Sequence, residues 1–179
     1  MNSSSVSSRF AILGPYPRTA VAVLLLGAAL LFSFGGMRTS LYPELLSVFE
    51  WMETTWFGYV GKTWGGAFAL VQGGHLVSLG VLGGSVLFSD GRLLGLFSSL
   101  PIRDVIDGAH KVFVGALIVV VATGVFMVCG VAVKVYYLPV FWYKMLTLTV
   151  GVLFAFFVRK PLLDRNIDQV NPWVVRLVA

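Results

Sequence analysis

Four long apolar runs, at 19–36, 65–88, 112–133 and 138–158, contain no Asp, Glu or Arg between them. Such runs restrict the fold severely. Crossing a bilayer core takes about 20 apolar residues as a helix, and inside hydrocarbon each backbone N–H and C=O must be satisfied within the segment. The chain is 58% hydrophobic and 12% charged, with a mean hydropathy of +0.89, which places it outside soluble-domain composition. The expectation is all-α: a polytopic four-transmembrane-helix bundle, 1–179 forming a single membrane domain. Arg9 and Arg18 give the first run the look of a secretory signal, yet its apolar length exceeds the usual signal core of about 7–15 residues, so retention as a span is expected.

Four spans put both termini and the loop between the second and third spans on one side. That side receives nine of the thirteen basic residues: Arg9, Arg18, Arg92, Arg103, Lys111, Arg159, Lys160, Arg165 and Arg176. The positive-inside bias makes it cytoplasmic, including the tail 161–179, at whose start Pro161 is expected to break or bend the last helix. A net charge of +5 reads as attraction to lipid headgroups; no basic cluster is interleaved with aromatics, so nucleic acid is not a partner. The opposite side carries Trp51, Trp56, Trp64, Tyr42, Tyr59, Tyr136, Tyr137, Trp142 and Tyr143, an aromatic belt. There Pro43 suits a first helical turn and Leu45, Leu46, Phe49, Met52 and Trp56 recur at helical spacing. An interfacial amphipathic helix over about 43–60 follows, a surface for anchoring or for docking a subunit or quinone. Between the second and third spans, the segment 89–111 reads as a loop with a short amphipathic helix after Pro101.

At 100° per residue, the second span separates two stripes. Gly73, Gly80 and Gly84 form one, and small residues four apart let a neighbouring helix approach closely, so helix packing is their assigned role. His75, Ser78, Ser85 and Ser89 form the other. A lipid-facing surface has no reason to stay polar, so this stripe is expected to face protein or a cavity. Gln72 lies one turn from His75, and Thr123 and Lys144 on the third and fourth spans complete a polar membrane patch. Met127 matches the depth of His75, because each lies roughly 20 Å from the cytoplasmic end of its helix. His110 does not match. It lies roughly 20 Å of axial rise from His75, which disfavours one haem held by both histidines.

Three roles for His75 are therefore set side by side. It can be a neutral histidine hydrogen-bonded to Gln72, a serine, Thr123 or a carbonyl; an axial ligand of one haem b, with Met127 as second ligand; or part of a copper site with Met127 and Cys129. Cys129 stands two residues from Met127, on a different helical face. A proton path through His75 and Lys144 lacks an intramembrane carboxylate. Asp90, Arg92 and His110 belong to the cytoplasmic interface, where Asp90 and Arg92 can form ion pairs with Arg159 or Lys160. Gly61-Lys62-Thr63 echoes a phosphate loop, but position 56 is Trp where that loop requires Gly. No catalytic motif is found, and the chain is expected to have no catalytic activity of its own.

The runs His75-Leu76-Val77-Ser78-Leu79-Gly80, Gly83-Gly84, Asp90-Gly91-Arg92-Leu93-Leu94-Gly95 and Phe141-Trp142-Tyr143-Lys144 carry a family likeness. From about Phe49 to Lys160 the chain resembles a family of uncharacterised bacterial four-helix inner-membrane proteins. More distantly, its layout is similar to copper-resistance membrane proteins and small membrane cytochromes b. The near resemblance implies a multi-pass protein of the bacterial inner membrane. The function expected is that of an integral subunit or accessory protein of a larger membrane complex, of redox or respiratory type. The alternatives are a carrier of one haem b and a copper-handling protein.

Overall fold

The computed structural model describes residues 23–31, 37–96 and 99–164. These residues are helical apart from short connections, with no strand among them. We label the helices α1 (23–31), α2 (Met37–Thr54), α3 (Trp56–Thr63), α4 (Gly65–Leu93), α5 (Ile102–Gly130), α6 (Ala132–Tyr136), α7 (Pro139–Leu153) and α8 (Lys160–Leu163). A π-helical turn, Phe154–Arg159, joins α7 to α8. The described residues fall into two compact units, 42–138 on the one hand and 23–31, 37–41 and 139–164 on the other.

Among the described residues, three helices are long and apolar enough to cross a membrane: Gly65–Leu93, Ile102–Gly130 and Pro139–Leu163. They correspond to the second, third and fourth apolar runs. The first run, 19–36, is described only over 23–31, which is helical; its remainder lies outside the described residues, as do Arg9, Arg18 and the tail from 165 onward.

Unit 42–138 is built on the pairing of α4 with α5. Both have 29 residues, and at about 1.5 Å per residue each is longer than a hydrocarbon core of about 30 Å. This surplus corrects the sequence expectation of a loop over 89–111 holding a separate short helix. Arg103, Asp104 and Asp107 are exposed on the first turns of α5 itself, while Val105, Ile106 and Ala109 are buried on its other face. A long helix whose end emerges into water needs no break to accommodate those charges.

The turn between the two helices is short because Gly95 adopts φ +94°. The Gly95 and Leu96 amides donate back to the carbonyls of Arg92 and Gly91, at 3.2 and 2.8 Å. This closes α4 with the left-handed glycine motif that satisfies its last carbonyls. Arg92 Nε donates to the Leu100 carbonyl at 2.8 Å and pins the turn.

At the other end of the pair, the expected single interfacial helix over 43–60 is two helices. α2 begins at Met37, which puts Pro43 inside it where the first helical turn was expected. The break falls at Thr55, whose extended backbone (φ −69°, ψ 162°) and hydroxyl, accepting from the Gly58 amide at 3.2 Å, cap α3. α2 is clasped to α6 by a reciprocal pair. Tyr42 Oη donates to the Tyr136 carbonyl at 3.1 Å, Tyr136 Oη donates to the Tyr42 carbonyl, and the two rings lie 4.3 Å apart. Phe49 meets the buried Tyr136 edge-on at 5.3 Å.

In the other unit, Pro161 distorts the last helix without interrupting it. Proline removes an N–H and crowds the preceding turn. Here the turn before it is widened to π geometry, with the Lys160 amide reaching the Ala155 carbonyl, and the helix runs on to Leu163. Lys160 pairs with Asp164 at 2.8 Å. Lys144, on α7, is exposed.

Candidate functional site

The serine face of α4 points inward. His75, Ser85 and Ser89 are 7%, 7% and 1% exposed and Ser78 is half-buried, whereas Gln72 is exposed. His75 Nδ1 lies 2.8 Å from Thr123 Oγ1 of α5. The Thr123 hydroxyl hydrogen has its own acceptor, the Val119 carbonyl at 2.6 Å, one turn back along α5. Thr123 oxygen must therefore accept from His75, which puts the imidazole proton on Nδ1 and the lone pair of the neutral ring on Nε2. Gly124 completes this contact. A Cβ built there would stand 3.5 Å from His75 Cε1, so the helix presents only backbone to the edge of the ring.

Of the other residues singled out from the sequence, Met127 is half-buried one turn beyond Thr123, and Cys129 is buried on a different side of α5. His110 is half-buried near the opposite end of α5, its ring stacked on Phe113. Asp90 is half-buried at the end of α4, close to the turn that Arg92 ties. The glycine stripe is not engaged among the described residues: Gly73, Gly80 and Gly84 are exposed, and a Cβ on any of them would meet nothing within 4 Å there. His75 needed the inward face for its polar partner, and the glycines fall on the other.

Close glycine packing occurs elsewhere. A Cβ on Gly61 of α3 would stand 3.0 Å from the Gly130 Cα at the end of α5, and one on Gly130 would stand 3.3 Å from Gly61 backbone. Phe57 and Phe126 meet edge-on at 6.1 Å beside this crossing. Beyond Gly130 the chain turns into α6, and Glu53 from the end of α2 secures that corner. One Glu53 oxygen accepts from the Val133 amide at 2.8 Å, and the other pairs with Lys62. Partial burial pushes the Glu53 pKa up, but the Lys62 hydrogen bond, the Val133 amide and the Lys62 charge together hold it below the usual carboxylate value. Beside this corner is an open groove of about 520 Å³, lined by Glu53, Gly61, Lys62, Gly65, Phe68, Gly130, Val131 and Lys134.

A model of a family of unknown function, DUF6644, matches residues 48–179, more than half of the chain. The chain belongs to the DUF6644 family. No curated protein and no solved structure matches it. The matched region starts within α2 and takes in both the His75 contact and the Glu53 corner, so the two features of this DUF6644 chain lie inside the family's own segment. Glu53, Gly61 and Gly130 carry no sequence pattern that marks them as contact points; the one local signal at this corner is the Thr54-Thr55 pair, where Thr55 caps α3.

Proposed function

We propose that this DUF6644 protein is an integral, non-catalytic subunit of a larger membrane complex, multi-pass in the bacterial inner membrane with both termini cytoplasmic. The observation that carries the reading is the glycine row of α4, which no side chain or backbone approaches among the described residues. Lipid tails will cover any apolar helix, but they gain nothing from small residues at 73, 80 and 84; a second helix does, because its backbone can come close. Burial within the chain is also thin. Among the described residues, only 11% and 17% of the most apolar windows of α4 and α5 are buried, so broad apolar faces remain for other helices. A redox or respiratory assembly fits a chain with a polar histidine contact inside the membrane.

The test is purification in mild detergent with mass spectrometry of the co-eluting chains. Wild type should bring down a reproducible partner, and Gly80→Leu with Gly84→Leu should lose it while keeping helicity and a monodisperse elution peak, since a Cβ at either position meets nothing within 4 Å among the described residues. A wild-type chain that elutes alone from native membranes would sink the reading.

A second reading rests on the tautomer of His75. With Nδ1–H given to Thr123, the nitrogen that carries the lone pair is Nε2, and a hydrogen bond on the other nitrogen is how proteins orient a ligating imidazole. In this reading His75 holds one haem b and Met127 supplies the second axial ligand. Haem-replete expression should then give reducible absorption bands that vanish in His75→Ala and shift in Thr123→Val. A colourless wild-type protein would end it.

A further inference from the structure

We propose that the groove at the α3–α4 corner is a binding site for the headgroup of an anionic phospholipid. Its depth comes from the ends of two spans. α4 begins at Gly65 and α5 ends at Gly130, and both residues line the groove, so it sits at the level where the hydrocarbon core gives way to headgroups. Its walls are mixed accordingly: Phe68, in the first turn of α4, and Val131, just past the end of α5, are apolar, and Lys62 and Lys134 are charged.

The charges select the ligand. Glu53 is committed to Lys62 and to the Val133 amide, which leaves one lysine's worth of positive charge over the three ionised groups of the groove. Lys134 is exposed, and no carboxylate pairs with it among the described residues. A net charge of +1 beside an apolar wall complements a phosphodiester carrying one negative charge and a diacylglycerol tail. Shape allows it as well. A Cβ on Gly65 would meet nothing within 4 Å, so space beside the start of α4 is open to a headgroup. Exposed Trp56, Tyr59 and Trp64 surround this corner in sequence, the residue types that settle at the headgroup level. The inference requires only that α4 and α5 span the bilayer, and it is independent of whether a protein partner exists.

Native mass spectrometry of the detergent-purified chain, incubated with equal amounts of palmitoyl-oleoyl phosphatidylglycerol and phosphatidylcholine, tests it. Wild type should retain one phosphatidylglycerol in preference to phosphatidylcholine by about fivefold, the attraction typical of one lysine near an anionic membrane surface. Lys134→Gln should bring the two lipids to near-equal retention, and Lys134→Arg should restore the preference. Gly65→Leu should reduce retention of both lipids by filling the groove, and Lys111→Gln, at the far end of α5, should change nothing. Equal retention of the two lipids by wild type, or an undiminished preference in Lys134→Gln, would overturn the proposal.

Discussion

Glu53 shows how one side chain can hold a corner that no local pattern announces. Its carboxylate is 17% exposed and joins α2 to Lys62 of α3 and to the Val133 amide of α6, eighty residues away. His75 was legible in the sequence because an ionisable group in an apolar run is expensive wherever it points. Glu53 was not, since an acid in a wet, aromatic-rich segment costs little, and what gives it a role is an amide that only the fold brings near. Its lowered pKa fixes a pH dependence. Because the folded value lies below the unfolded one, the stabilisation is present above the usual value of about 4.5 and is lost as pH falls through the depressed folded value. Lys62 is 47% exposed and solvent screens the pair, so the contribution is about 0.5–1 kcal/mol. Thermal unfolding in detergent should place Glu53→Gln below wild type at pH 7, with the two curves converging as pH falls below the depressed folded value. A gap that persists unchanged into acid would mean that charge is not the cause.

At the scale of elements, the sequence marked one row of glycines as a contact surface, and the structure adds a second glycine contact that no pattern announced. The row at 73, 80 and 84 has the regular spacing that sequence reading detects, whereas the Gly61–Gly130 crossing joins single glycines on two helices and has no periodicity to find. Geometry distinguishes them sharply. A methyl on Gly61 would press at 3.0 Å on the Cα of Gly130, backbone against backbone, where neither side can swing away. A methyl on Gly73 meets open space. Gly61→Ala should therefore destabilise the α3–α5 contact by about 1–3 kcal/mol, the usual range for an overpacked contact. Gly73→Ala should be neutral or slightly stabilising in the isolated chain, because alanine is the better helix former. Limited proteolysis after Thr63 checks this: faster cleavage in Gly61→Ala and an unchanged rate in Gly73→Ala are expected. Equal rates in the two variants would show that the crossing carries no stability.

For the whole molecule, the apolar runs made the three long helices legible, because a length near 20 residues without acidic or arginine residues leaves few other folds. Their ends were less legible. Hydropathy stops where charge begins, at about 88 and 112, but the helices continue to Leu93 and start at Ile102, since hydrogen bonding along a helix does not end at the membrane surface. Orientation is a separate matter, governed by where the basic residues fall. Arg92, Arg103 and Lys111 gather toward the α4–α5 turn, while Lys62 of α3 and Lys134 of α6 stand just beyond the opposite ends of α4 and α5, with Lys62 neutralised by Glu53. The bias favours a cytoplasmic turn. With Cys129 replaced by serine, single cysteines at Ser99 in the turn and at Tyr137 between α6 and α7 report the two sides; both positions are exposed. A membrane-impermeant maleimide added to spheroplasts should label Tyr137→Cys and spare Ser99→Cys until the cells are lysed. The reverse pattern would invert the protein in the membrane and move the lipid groove to the cytoplasmic leaflet. Labelling of both sites in intact spheroplasts would mean that α4 and α5 do not each cross the bilayer.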